Sequence, residues 1–141
     1  MNEKIAAYAN YATSALLMFM GMIYLTRSSF MPYHGVALSH EWPEVDPMVR
    51  ILIVALMRGV SGGLIASSVA IAFLQYKYTK LKLKWIPGLI LVTGMILCSA
   101  FLYAMLKVKL NTPGNPPLGL IFAGAFLLIT GFLLNRKELQ K

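Results

Sequence analysis

The sequence predicts an all-α membrane protein. It reads as a four-transmembrane-helix bundle with antiparallel neighbours and a short interfacial or re-entrant segment between helices 1 and 2. Three observations carry this. Of 141 residues, 58% are apolar and 13% charged, against about 25% charged in soluble domains. The apolar residues gather into four runs, 5–25, 51–74, 86–106 and 118–134, each near the roughly 17–25 residues that cross a hydrocarbon core. Lys and Arg cluster between the runs, as membrane topology requires. Residues 1–141 therefore read as a single transmembrane domain with spans near 5–25, 48–75, 86–106 and 117–135. Backbone groups in lipid must bond internally, so each span is expected to be helical.

The first run is too long for a signal-peptide core, and Glu3 beside Lys4 gives it a weakly charged start, so it reads as a retained span. Asp46-Pro47 reads as the N-cap and first helical residue of the second span. That span carries two small-residue stripes, Gly59–Gly63–Ser67 and Gly62–Ala66–Ala70. Small residues let helix backbones approach closely, so the stripes predict a helix central to the bundle, or a seam between two copies. Gly119 and Ala123 suggest a similar contact in the fourth span. "YKYTKLKLKW", residues 76–85, reads as a basic connection that anionic lipid headgroups would favour. "NTPGNPPLG", residues 111–119, reads as a rigid turn. Trp42 and Trp85 fall at predicted membrane boundaries.

With both termini in the cytoplasm, that side receives eight Lys and Arg residues and the other side four. The count favours an integral protein of the cytoplasmic (inner) membrane with N- and C-termini inside. The net charge of +8 is spread over loops and forms no basic face, so nucleic acid is not an expected partner. The expected partners are the lipid bilayer, anionic headgroups included, and a small-molecule ligand. Homo- and hetero-oligomers stay open.

The single cysteine, Cys98, excludes an intrachain disulfide and a thiol relay, and reads as a small packing residue. The spans lack the cysteine pairs, the first-helix glutamate and the facing histidines that three kinds of four-helix membrane protein use, and no cofactor is expected. Five methionines in or near the first span and outer loop read as packing rather than a soft-metal site.

Two features carry candidate chemistry. Arg58 is the one charge within the second run and lies about 18 Å beyond Asp46 along a helix. It reads either as bonded to backbone carbonyls and hydroxyls or as an anion-binding group. The segment "SFMPYHGVALSHEWPEVDPMVR", residues 29–50, holds both histidines, His34 and His40, with Glu41, Glu44 and Asp46. "HEWPE" lacks the second histidine of a zinc-helix motif and contains Pro43, which argues against a metal site. The segment is too apolar for a solvated loop and reads as a cap over the bundle mouth.

Together these predict an outward-facing polar pocket, with Arg58 below and His34, His40, Glu41 and Glu44 above. It would bind or pass a small anionic or amphipathic ligand, or belong to an accessory subunit. Alternatives are an integral membrane enzyme and a structural partner of a membrane complex. The enzyme would use His34, His40 and Glu41 as acid/base candidates and Arg58 as an anion clamp.

Overall fold

The computed structural model describes residues 2–139. The described chain is helical: α1 (Asn2–Thr26), α2 (Pro32–Leu38), α3 (Pro47–Leu81), α4 (Ile86–Asn111) and α5 (Leu118–Leu139), with a 3-10 turn at Trp42–Glu44. Four helices, all but α2, are long and apolar enough to cross a membrane, and the protein is accordingly an integral membrane protein by length and composition.

Asp46 caps α3 as the sequence predicts: its Oδ1 accepts from the N–H groups of Met48 at 2.8 Å and Val49 at 3.3 Å. All four long helices outrun their predicted ends, α3 and α4 the furthest. α3 has 35 residues, about 53 Å of helix, and absorbs more than half of the basic stretch expected as a connection. Lys and Leu are good helix formers, and Lys80 in the last turn complements the dipole. The helix stops where Lys82 turns left-handed (φ 51°) and its N–H bonds the Tyr78 carbonyl. α4 likewise continues to Asn111, and the Pro-rich turn follows.

α1 packs against α3 and α5, and α4 packs against α5 and α3. The buried residues of α3 are Met57, Ser61, Leu64, Ser68, Ile71, Gln75 and Tyr78. Their alternating spacing of four and three is a heptad seam. Against it lie Asn10, Ser14, Gly21 and Tyr24 of α1, pairing with Gln75, Ser68, Ile65 and Arg58 respectively. Positions thus fall along α3 as they rise along α1. Ser14 and Ser68 bond reciprocally, each hydroxyl reaching the other's carbonyl, at 2.9 and 2.7 Å. Ile71, Tyr78, Ile86, Ile90 and Leu128 form the apolar core near the other end.

A correction concerns the small-residue stripes. Gly59, Gly62, Gly63 and Gly119 would meet nothing within 4 Å if given a Cβ, and Ala66, Ala70 and Ala123 are exposed. Within the four long helices the close approaches occur at Gly21, Gly94 and Gly131, which face Ile65, Leu128 and Asn10. α3 turns its glycine-rich side outward and its serine-bearing side inward, because Ser14, Ser68, Gln75 and Asn10 would lose hydrogen-bond partners in lipid.

Candidate functional site

α2 positions the site. Pro32 opens it from an extended Met31, and Ser39 (φ 55°) closes it, donating its N–H to Gly35 and Val36 carbonyls. It is fastened on both sides. The Tyr33 hydroxyl lies 2.7 Å from that of Tyr24 in α1. Gly114, in the α4–α5 turn, packs so closely that an added Cβ would stand 2.8 Å from Ala37 Cβ and 2.9 Å from the Tyr33 carbonyl. Phe30 lies edge-on to Trp42 at 4.9 Å and fills the space over Gly35.

Beneath α2 a cleft of about 460 Å³ opens between α3 and α4. Ile53, Leu56, Met57 and Val60 form one wall, and Phe101, Ala104, Met105 and Val108 the other. Its polar members, Tyr24, Tyr33, His34 and Thr112, are confined to the α2 end. Among the described residues no Asp, Glu, Lys or Arg lines it. Thr112 is satisfied internally, donating to the Val108 carbonyl at 2.7 Å. Tyr33 stacks edge-on with His34 at 4.3 Å. Burial, then the Tyr24 hydroxyl, pushes the Tyr33 phenol well above its ordinary pKa. Burial pushes His34 below its ordinary 6.5, which favours the neutral ring, one nitrogen donating and one accepting.

The sequence-predicted site residues fall in three places. His34 lines the cleft. His40, Glu41 and Glu44 line a different, shallow surface hollow with Trp42 and Pro43, and they are held by local bonds. The His40 Nδ1–H donates to the Leu38 carbonyl at 2.6 Å. Glu44 Oε2 accepts the Glu41 N–H at 2.9 Å, closing a capping box. Arg58 lines neither. Its Nη1 donates to the Tyr24 carbonyl at 2.9 Å. That carbonyl belongs to the last turn of α1, where no intrahelical donor remains, so the guanidinium caps the negative end of that helix. His34 is therefore the one of the five that meets the cleft. Among the described residues no three His, Cys, Asp or Glu side chains gather to hold a metal ion.

Tyr24 and the α4 wall residues carry no sequence signal, because apolar residues facing a cleft and apolar residues facing lipid have the same composition.

A second polar group lies deeper. Asn10 Nδ2 donates to Gln75 Oε1 at 2.7 Å, and Asn135 Nδ2 donates to the same oxygen at 3.3 Å. All three amides are buried. They join α1, α3 and α5. Asn10 Oδ1 and Asn135 Oδ1 have no hydrogen-bond partner among the described residues.

The chain matches no family model, and no curated protein or solved structure matches it significantly.

Proposed function

We propose that this chain is a four-helix bundle with antiparallel neighbours that holds an amphipathic, lipid-like molecule in the cleft between α3 and α4. α2 lies at the outer membrane surface over its mouth, with both chain termini in the cytoplasm. The observation that supports this is the segregation of the cleft: apolar walls along its length, polar atoms at one end only. Its volume falls within the roughly 300–1,000 Å³ of small-molecule sites. Met57 and Met105 supply adaptable walls.

The test is lipid retention. Protein purified in mild detergent is extracted, and bound lipids are quantified by mass spectrometry. Ala104→Trp fills the cleft from α4 and is expected to abolish a stoichiometric lipid that the wild type retains. Equal retention in both proteins refutes the reading.

A second reading, a structural partner in a membrane complex, is favoured by the outward face of α3 at Gly59, Gly62, Gly63, Ala66 and Ala70. On that reading Gly63→Leu removes a co-purifying subunit while leaving lipid content unchanged. The enzyme reading gains no comparable support, since among the described residues no carboxylate lines the cleft beside His34.

A further inference from the structure

Beyond the cleft, a second cavity of about 70 Å³ lies among α1, α3, α4 and α5. The two spaces share Tyr24, Phe101 and Met105 as walls, so they adjoin. The floor of the inner cavity is framed by Gly94, Gly124 and Leu128. From Thr112 at the mouth to Gly94 the path along α4 is about 27 Å. That nearly equals the roughly 30 Å of a whole hydrocarbon core, twice the depth available to a tail confined to one leaflet.

We infer that the occupant is a neutral, single-chain lipid alcohol or glycerol ester, its hydroxyl head at His34 and the Tyr24–Tyr33 pair and its chain end in the inner cavity. The inference rests on the cleft reading above and narrows it. Three observations carry it. First, no charged side chain among the described residues lines either space, and an unpaired charge is costly in an apolar site. A phosphate or carboxylate head would stand without a counter-charge. Second, the mouth offers both hydrogen-bonding senses. In the phenol pair one hydroxyl donates to the other, which leaves one O–H free. The His34 ring, half-buried, has no hydrogen-bond partner among the described residues. A hydroxyl head, donor and acceptor at once, satisfies both. Third, the inner cavity is about half the roughly 150 Å³ that admits benzene in an engineered core. It accepts the end of a chain and rejects a ring.

Gly124 gives the handle for a test. A Cβ there would meet only Cys98 Sγ, at 3.9 Å, and Gly124 lines the inner cavity, so Gly124→Leu is expected to fill it. Purified protein is photolabelled with diazirine-tagged alcohols, octanol- and octadecanol-derived, and with a diazirine lysophosphatidylglycerol. Labelled peptides are located by mass spectrometry. Filling a void of about 70 Å³ favours the chain that reaches it on the order of tenfold. The long alcohol is therefore expected to label α4 and α5 about tenfold more than the short one. Gly124→Leu erases that advantage while short-chain labelling near the mouth persists. Ile121→Phe, which narrows the same cavity from another position, does the same if the leucine variant fails to fold. Labelling by lysophosphatidylglycerol equal to that by the long alcohol overturns the inference. So does a length preference that survives both substitutions, and in either case the cleft reading stands. No cleft labelling by any probe overturns both.

Discussion

Gly131→Ala separates steric contact from hydrogen bonding in the buried amide group. A Cβ at Gly131 would overlap Asn10 Oδ1 and stand 2.8 Å from Asn10 Cγ and 3.0 Å from Asn10 Nδ2. Asn10 is fully enclosed and its Nδ2 is committed to Gln75 at 2.7 Å, so it has nowhere to rotate. Either α5 withdraws or the amide bond breaks. Overpacking of this kind costs about 1–3 kcal/mol. An interhelical hydrogen bond in a membrane averages only about 0.6 kcal/mol and reaches about 1.7. The steric term is therefore the larger, and Gly131→Ala is expected to cost about 2–4 kcal/mol when both act. Asn10→Ala alone removes one bond and leaves Gln75 Oε1 with the longer contact to Asn135, for about 1–2 kcal/mol. The double variant places the new methyl in the space the amide vacates. It is expected to be no less stable than Asn10→Ala, so the coupling matches the whole cost of Gly131→Ala, about 2–4 kcal/mol. Reversible unfolding in mixed micelles, titrated with sodium dodecyl sulfate and followed by circular dichroism, gives the four free energies. Additive single-variant costs refute the reasoning.

Three other expectations follow from the same structure. Gly62→Leu and Gly63→Leu leave the stability of the isolated chain within about 0.5 kcal/mol, whereas Gly21→Leu costs about 3 kcal/mol or more in the same assay; its Cβ would stand 2.7 Å from Ile65 Cγ1 and 3.3 Å from the Ile65 backbone nitrogen. Burial depresses the His34 pKa below 6.5, so the unfolded chain takes up the proton first. Stability is then full above 6.5 and declines as pH falls below it, and melting curves from about pH 8 to 5 are expected to lose this slope in His34→Gln but keep it in His40→Gln. Arg58→Met leaves the Tyr24 carbonyl uncapped and is expected to cost about 1.5–3 kcal/mol, with Arg58→Lys recovering part; unchanged stability in the methionine variant would show that the 2.9 Å contact contributes nothing.

The four long helices were legible in the sequence because crossing a hydrocarbon core demands some 20 apolar residues in a row. The cap at Asp46 was legible because Asp-Pro satisfies the first N–H groups of a helix. The inward faces were not, and the reason is physical. In water an apolar stripe marks the core, but lipid and core are equally apolar, so that signal vanishes. What marks the inside of this chain is polarity: Asn10, Thr13, Ser14, Ser61, Ser68, Gln75 and Asn135 are all buried. Ser61, Ser68 and Gln75 sit on the heptad seam of α3 and point to the packed face. The glycine stripes lie on neighbouring positions and point the other way. The segment between α1 and α3 was legible as apolar, but its division into a helix over the cleft and a separate hollow beside it depends on Tyr24–Tyr33 and Gly114, contacts that no spacing rule encodes.

Arg58, half-buried, shows why a charge within an apolar run need not imply a ligand. On insertion scales a central arginine costs about 2.5–3.5 kcal/mol. A hydrogen bond from a charged donor returns about 1.5–3 kcal/mol, and a cation at a partly buried helix C-terminus up to about 2 kcal/mol. The Tyr24 carbonyl supplies both, since it is a strong acceptor and belongs to the last turn of α1. The two gains are of the same size as the cost, so Arg58 is accounted for without an anion. Its charge is then spent on α1 rather than on the adjoining space. Tyr24 is where this matters for function: its carbonyl takes the guanidinium while its hydroxyl faces Tyr33 at the cleft mouth. One residue thereby keeps the only charge of the apolar run out of the cleft and leaves a neutral hydrogen-bonding group in its place, as the proposed neutral lipid head requires.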